Sequence, residues 1–158
     1  MNPNSIKYKS PGTSSITRFE RIHTVIFDNK KSGELLVANE IKKIIEKNNK
    51  KSKKTVLGLA TGSSPKGIYK ILIDFHKNEN LSFKNVVTFN LDEYYGLKKD
   101  HSQSYHQFMN DNLFDHIDID SKNINIPEGN IDKKSIDNYC KDYERKIKSS
   151  GGIDIQLL

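Results

Sequence analysis

The residues best suited to chemistry begin with a stretch of small and hydroxyl-bearing side chains, the hydroxyl loop: Thr61, Gly62, Ser63 and Ser64. It follows an apolar run at 55–60 and precedes a helical pattern that starts near Pro65. Gly62 allows a sharp turn and a close approach of a ligand to the backbone. Free N–H groups at a helix start, together with hydroxyls, attract anions. The hydroxyl loop therefore predicts a site for a small phosphorylated ligand.

A purely structural interpretation of the same stretch also stands. Ser63 or Ser64 can cap the following helix, and Pro65 fits its first turn, where a missing N–H costs nothing. A well-capped helix after a strand needs no ligand. No Gly-Lys-Ser/Thr follows four residues after a glycine in the loop, and no G-x-G-x-x-G pattern is present. ATP and dinucleotides are therefore poor candidates, and a smaller phosphorylated molecule fits better.

Two acidic residues, Asp92 and Glu93, follow a second apolar run at 86–91. A carboxylate in a cleft partly closed by Tyr94 and Tyr95 can act as a general base, because partial desolvation raises its pKa toward the useful range. One member of the pair can instead cap or orient a neighbouring group, and acidic residues often follow strands for structural reasons alone. The pair therefore indicates a general base, and a structural role for Asp92 or Glu93 is also left open.

A third polar segment, residues 101–109, contains His101 and His106. No cysteine or further histidine stands at a spacing typical of metal ligands, so we expect no metal site. A Ser-His-Asp triad is disfavoured because the chain has no G-x-S-x-G sequence to hold the serine. Tyr105 and Phe108 are interpreted as packing residues or as the rim of a cleft.

The rest of the chain alternates between short apolar runs and helical patterns. Helices are predicted over 33–48 with Ser32 as the cap, after Pro65, over 104–112 and over 135–148; strands are predicted over 55–60, 86–91, 124–126 and from 153, with a strand or extended segment at 25–27. This alternation indicates an α/β fold with a mainly parallel sheet flanked by helices. Ligands bind where the carboxyl ends of such strands meet. The hydroxyl loop and Asp92 are therefore expected side by side.

Charge and composition exclude several classes of function. The net charge is +6, and nine lysines against three glutamates between Lys30 and Lys54 carry that whole excess. This segment has no interleaved aromatic residue or arginine to stack on bases, so we expect a solvated helix end and no nucleic-acid partner. No signal-peptide pattern and no long apolar run indicate a membrane. The single Cys140 cannot form a disulfide within the chain, so a cytoplasmic setting is expected.

Five blocks of sequence have a familiar order and spacing. They read LGLATGSSP at 57–65, LSFKNVVTFNLDEYYGL at 81–97, SQSYHQFMNDNLFDHIDI at 102–119, NINIPEGN at 123–130 and GGIDIQLL at 151–158. Together they resemble the glucosamine-6-phosphate deaminase (isomerising) family, and the resemblance spans about residues 33–158. Two of these blocks are long and specific.

The resemblance implies a Rossmann-like fold and an amino-sugar phosphate as the small-molecule partner. The hydroxyl loop would hold the 6-phosphate through backbone N–H groups and the hydroxyls of Ser63 and Ser64. Asp92 matches the proton-transfer residue, which would remove the C2 proton of the opened amino sugar and return a proton at C1. Glu93 would be a second carboxylate or an orienting group. Loss of ammonia then leaves fructose 6-phosphate, and no metal or organic cofactor is implied.

The chain also departs from the family pattern at both ends. Residues 1–31 are interpreted as an added extension with an irregular tail over about 1–15, and residues 32–158 as the N-terminal part of the deaminase domain. The family continues beyond this point with an Asp, a His and a Glu that assist ring opening. The chain is therefore expected to be truncated at a central strand and weakly active or inactive alone. A homo-oligomer is possible.

Three alternatives remain open at this point. A 6-phosphogluconolactonase-like hydrolase would also use a sugar phosphate but would not need the DEYYGL block. A non-catalytic sugar-phosphate sensor should carry a helix-turn-helix before the domain, and residues 1–31 are too short and irregular for one. A degenerate relative without activity is disfavoured by the intact Asp92.

Overall fold

The computed structural model describes residues 24–158, which fall into two units, residues 24–33 and residues 34–158. In the first unit, the side-chain oxygen of Asn29 accepts hydrogen bonds from the backbone N–H of Ser32 at 3.0 Å and from its hydroxyl at 3.1 Å. Asn29 therefore caps the first helix, and the prediction that Ser32 caps it is wrong. Residues 25–27 form no strand. The tail predicted at 1–15 lies outside the described residues.

The described residues alternate between helices and strands. The helices are α1 (Lys30–Asn49), α2 (Lys66–Glu79), α3 (Tyr105–Asn112) and α4 (Ile136–Ser149); the strands are β1 (Thr55–Leu59), β2 (Val86–Asn90), β3 (Ile124–Asn125) and β4 (Ile155–Gln156). The strands form one sheet in the order β3-β2-β1-β4, and every pair in it is parallel. The predicted α/β class with a parallel sheet is confirmed.

Successive residues of β1 and β2 point to opposite faces of the sheet, and different helices cover those faces. The larger core joins Leu57 and Leu59 of β1 to Ile41, Ile45 and Leu72 of helices α1 and α2. The smaller core joins Val56, Val87 and Phe89 to Tyr143 and Ile147 of α4. Both central strands are buried along all five residues. This burial on two faces explains why each strand reads as an almost unbroken apolar run.

A buried hydrogen bond joins the start of α2 to the end of β1. The hydroxyl of Tyr69 donates to the backbone oxygen of Ala60 at 2.5 Å. Burial raises the pKa of Tyr69, so the hydroxyl keeps the proton that it donates. Because a buried carbonyl at a strand end needs a donor, this contact fixes where the chain leaves the sheet toward the hydroxyl loop.

Most predicted boundaries lie within a residue or two of the observed ones. The strand predicted through Leu91 ends at Asn90, and half of the surface of Leu91 is exposed. The helix predicted from residue 33 begins at Lys30 because of the Asn29 cap. Within residues 24–158, no helix combines the length and the apolar character needed to cross a bilayer.

Candidate active site

The two polar stretches leave the sheet at the carboxyl ends of neighbouring strands. In the parallel pair β1 and β2, Leu59 lies opposite Asn90. The backbone N–H of Leu91 donates to the backbone oxygen of Leu59 at 3.1 Å, which carries the pairing one residue further. The hydroxyl loop and Asp92 therefore start from adjacent points on one edge of the sheet, as the sequence predicts.

The hydroxyl loop is built on a residue with a positive φ. Gly62 has a φ of 104°, a conformation that strains any residue with a Cβ, and open space surrounds the position where a Cβ would stand. Pro65 flanks the helix start with φ −76° and ψ −14°, and no side-chain hydrogen bond caps it. Pro65, and neither Ser63 nor Ser64, therefore stands at the cap position of α2. The proline already holds a helical conformation, and α2 begins one residue later.

Asp92 is exposed at the edge of the sheet and carries a perturbed carboxylate. Partial desolvation, followed by the negative charge of Glu93, raises the pKa of Asp92 above its ordinary value. A carboxylate with a raised pKa takes up and returns a proton more readily near neutral pH than an ordinary one. These properties fit a proton-transfer group.

Glu93 differs sharply from its neighbour, since only 1% of its side chain is exposed. Its Oε1 accepts from the backbone N–H groups of Tyr94 and Tyr105, each at 2.8 Å. Its Oε2 accepts from the backbone N–H of His106 at 3.1 Å and lies 3.0 Å from Nδ1 of the same residue. Burial alone would raise the pKa of Glu93, but these hydrogen bonds outweigh it and lower the pKa. Glu93 is a fixed acceptor, and this geometry fits the orienting role better than that of a base.

The start of α3 receives two caps from different parts of the chain. Ser104 accepts from the backbone N–H of Gln107 at 3.0 Å, which is a local cap that the sequence pattern can reveal. Glu93 binds the N–H groups of the first two helical residues from twelve and thirteen positions away. No local pattern signals such a contact. Glu93 thereby ties the loop that carries Asp92 to the start of α3.

Tyr105 lines a cavity next to the loop of Asp92, in agreement with its interpretation as a residue at the rim of a cleft. The neighbouring Tyr94 side chain, partial burial and the charge of Asp92 raise the pKa of Tyr105, against an opposing effect of Thr61. Its ring lies 4.7 Å from the ring of Tyr94 at an angle of 49°. A cavity of about 450 Å³ opens beside this pair, and its other walls include Lys66 and Phe108. Tyr105 thus lines this cavity beside the loop that carries Asp92.

The two histidines of this segment have different environments. His101 is exposed and its Nδ1 accepts from the backbone N–H of Gln103 at 3.1 Å, whereas the side chain of His106 is mostly buried against Glu93. Across residues 24–158, no group of three or more His, Cys, Asp or Glu side chains is arranged to hold a metal ion.

The loop after Asp92 is held by the loop after β3. The backbone N–H of Gly96 donates to the backbone oxygen of Gly129 at 2.7 Å, and Lys99 pairs with Glu128 at 2.5 Å. A Cβ on Gly129 would press on the backbone oxygen of Tyr94 and would lie 2.6 Å from that of Leu97. Only a glycine therefore allows this close approach of the two loops.

Gly129→Ala is accordingly expected to shift the 94–97 loop, because backbone oxygens cannot move aside as side chains do. We expect a loss of about 1–3 kcal/mol in the free energy of unfolding, measured by urea titration. Asn130→Ala, at the exposed neighbouring position, is the control and should leave stability almost unchanged. Equal stability of Gly129→Ala and Asn130→Ala would contradict the close packing.

Comparison with known proteins identifies relatives of this chain. A family model described as glucosamine-6-phosphate isomerases/6-phosphogluconolactonase matches residues 29–158. A glucosamine-6-phosphate deaminase of Clostridium botulinum (strain Loch Maree / Type A3) is 57% identical over 104 residues, which are 66% of this chain and 42% of the relative. One from Fusobacterium nucleatum subsp. nucleatum is 49% identical over 133 residues, or 84% of this chain and 48% of the relative. The chain spans about half the length of the curated relatives it matches.

Solved structures agree with these relatives. A monomeric glucosamine-6-phosphate deaminase superposes with a TM-score of 0.77 at 42% identity, covering 84% of this chain and 52% of the other. A 6-phosphogluconolactonase from Thermotoga maritima superposes with a TM-score of 0.59 at 26% identity, covering 74% and 50%. Since the family model covers most of the sequence, the chain belongs to the glucosamine-6-phosphate isomerase/6-phosphogluconolactonase family.

Proposed function

We propose that this chain carries the phosphate-binding loop and the proton-transfer carboxylate of a glucosamine-6-phosphate deaminase. The reaction converts glucosamine 6-phosphate and water to fructose 6-phosphate and ammonia. The observation that carries the proposal is the parallel pairing of β1 and β2, which starts the hydroxyl loop and Asp92 from adjacent points on one sheet edge. The names of relatives at 49–57% identity support the same activity.

The hydroxyl loop would hold the 6-phosphate. The helix start at Lys66 offers backbone N–H groups and the positive end of the helix dipole, both of which are suited to an anion. The exposed Ser63 and Ser64 add hydroxyl donors beside them. A phosphate there anchors the sugar at C6 and directs its C1–C2 end away from the loop. In this arrangement the binding energy of the phosphate serves to orient the reacting carbons.

Asp92 would then move one proton between neighbouring carbons. In the opened sugar, C1 is an aldehyde and C2 carries the amine, so removal of the C2 proton by Asp92 gives an enolamine. Return of a proton at C1 gives a ketimine, which water converts to fructose 6-phosphate and ammonia. The raised pKa of Asp92 suits both steps because the same group must accept and release the proton. Glu93 would hold the loop of Asp92 in place through its buried hydrogen bonds.

A direct assay separates this activity from the lactonase alternative. The whole protein would be supplied with glucosamine 6-phosphate while ammonia and fructose 6-phosphate are measured, and in parallel with 6-phosphogluconolactone while its hydrolysis is followed. We expect ammonia and fructose 6-phosphate in equal amounts and no acceleration of lactone hydrolysis. Lactone hydrolysis without ammonia release would contradict the proposal and favour the relationship to the Thermotoga maritima protein.

Substituting Ser64 by a bulky residue should weaken substrate binding before it slows the chemistry. A tyrosine at this position would obstruct the loop and remove charge-assisted hydrogen bonds to phosphate. We expect Ser64→Tyr to raise KM by about tenfold to a hundredfold, with a smaller change in kcat. Lys70→Tyr, at an exposed position of α2, is the matched control. A lower kcat at unchanged KM would argue against phosphate binding in the loop.

A cytoplasmic location belongs to the same proposal. A charged sugar phosphate is a substrate of the cell interior, and the lone, exposed Cys140 gives no disulfide within the chain.

A further inference from the structure

A second cavity, of about 500 Å³, opens between the edge strand β3 and helix α4, and we call it the β3 cavity. It shares no lining residue with the cavity beside Tyr94 and Tyr105. Its polar and aromatic walls include Lys99, His106, Lys122, Tyr139, Tyr143 and Lys146. None of these side chains has a part in the proposed deamination, so the cavity calls for a separate explanation.

The lysines give the β3 cavity a positive character. Lys99 pairs with Glu128, which also lines the cavity, and Lys122 pairs with Asp120 at 2.8 Å. Both are exposed ion pairs, a kind that contributes little to stability. Lys146 has no ion-pair partner among the described residues. Its ammonium group can therefore bind an anionic group that enters the cavity.

His106 presents a hydrogen-bonding group whose orientation is fixed from behind. Its Nδ1 lies 3.0 Å from Oε2 of the buried Glu93. An ionised carboxylate has no proton to donate, so Nδ1 carries the proton of this contact. Nε2, the other ring nitrogen, has no hydrogen-bond partner in the part of the chain that the structure describes. In a neutral imidazole this nitrogen accepts a hydrogen bond, and a hydroxyl group is a suitable donor.

Two tyrosines of α4 form an aromatic wall, and one of them has a proton to donate. The rings of Tyr139 and Tyr143 lie 6.4 Å apart at an angle of 27°. The Tyr143 hydroxyl is engaged within the fold, 2.9 Å from the backbone oxygen of Asn90 and 3.0 Å from that of Asn125. The Tyr139 hydroxyl accepts from the backbone N–H of Glu128 at 2.8 Å, and burial raises its pKa, so it keeps its own proton. No described residue accepts that proton, which leaves it for an oxygen of a ligand.

We propose that the β3 cavity binds a small polyhydroxylated anion, with the anionic group on Lys146 and hydroxyl groups on His106 and Tyr139. The anionic group is a carboxylate, as in a sugar acid, or a phosphate, as in a sugar-alcohol phosphate; oxygens of both accept charge-assisted hydrogen bonds from an ammonium group. A hydroxyl group can both donate to Nε2 of His106 and accept from Tyr139. The volume and the aromatic wall are typical of small-ligand sites. This binding does not depend on the proposed deamination.

Calorimetric titration of the whole protein with Ser64→Tyr tests the β3 cavity apart from the hydroxyl loop, which this substitution obstructs. The two probes are gluconate, which carries a carboxylate, and glucitol 6-phosphate, which carries a phosphate. We expect at least one of them to bind, and the one that binds identifies the anionic group. It should bind at least about tenfold more tightly than its counterpart without hydroxyl groups, hexanoate or hexyl phosphate, because these counterparts leave His106 and Tyr139 without partners.

A lysine substitution then locates the bound probe. Adding Lys146→Gln should weaken binding by about tenfold, because the ammonium group is lost. Lys148→Gln, at an exposed position of α4 outside the cavity, is the matched control and should change the Kd by less than about twofold. The absence of binding by both probes, an equal loss in Lys146→Gln and Lys148→Gln, or binding no tighter than that of the counterparts would overturn the site. Each of these results would leave the proposed deamination intact, since ammonia release is measured separately.

Discussion

Asp92→Asn in the whole protein is expected to lower the rate of ammonia release from glucosamine 6-phosphate by about 10²- to 10⁴-fold. Asparagine keeps the size of the side chain but cannot take up the C2 proton. The affinity for inorganic phosphate, measured by calorimetry, should stay within about twofold, since the hydroxyl loop lies on the neighbouring strand end. The exchange of the C2 hydrogen with deuterated water should disappear together with ammonia release.

The pH dependence of the wild type adds a check on the same residue. As the pH is lowered, kcat/KM should fall when Asp92 becomes protonated. Because the pKa of Asp92 is raised, this fall should begin at a higher pH than it would for a base with an ordinary carboxyl pKa. Asp100→Asn, which alters an exposed carboxylate further along the loop, should leave both the rate and the pH profile unchanged. Loss of phosphate affinity with C2 exchange retained would mean that Asp92 serves binding and not proton transfer.

Glu93→Gln is expected to destabilise the fold, although the two side chains have almost the same shape. The Glu93 carboxylate accepts four hydrogen bonds. A glutamine amide has only one oxygen, so its NH₂ group must face N–H donors instead. These donors are the backbone N–H groups of Tyr94 and Tyr105 in one orientation and that of His106 in the other. Leaving a buried donor without a partner costs about 1–3 kcal/mol in the free energy of unfolding, measurable by urea titration at pH 7. The same change should also lower kcat, because the loop of Asp92 loses its anchor.

The stability difference between wild type and Glu93→Gln should depend on pH. The pKa of Glu93 is lowered in the folded chain, so its ionised form stabilises the fold above the ordinary carboxyl range and this stabilisation is lost as pH falls through the folded pKa. The difference should therefore be largest near neutrality and shrink in acid. Glu40→Gln, which removes an exposed partner of Lys43, is the control and should cost less than about 1 kcal/mol. A pH-independent difference would contradict the ionised state of Glu93.

The sheet could be predicted from sequence because its central strands are buried on both faces. Such strands must be apolar almost throughout, and the runs at 55–60 and 86–91 mark them within one residue. The alternation of strands and helices then places their carboxyl ends on one edge. The position of the candidate site follows from these two facts alone.

Other features could not be predicted because they depend on contacts distant in sequence. The four acceptor contacts of Glu93 include residues twelve and thirteen positions away, and the backbone contact of Gly96 with Gly129 joins segments more than thirty residues apart. The two capping predictions failed because a neighbouring residue takes the cap position. Asn29 caps α1 in place of Ser32, and Pro65 stands at the cap position of α2 that was predicted for a serine. The extension at 1–31 and the possible homo-oligomer stay predictions.

A crystal structure of the whole protein with the reduced open-chain analogue, 2-amino-2-deoxyglucitol 6-phosphate, tests the central claim most directly. This analogue keeps the phosphate and the amine but has no aldehyde to react. We predict its phosphate within about 3 Å of the backbone nitrogens of residues 62–64, and its C2 about 3–3.5 Å from the carboxylate of Asp92. A phosphate bound away from the hydroxyl loop, or an Asp92 carboxylate turned away from C2, would contradict the claim that the hydroxyl loop and Asp92 form one substrate site.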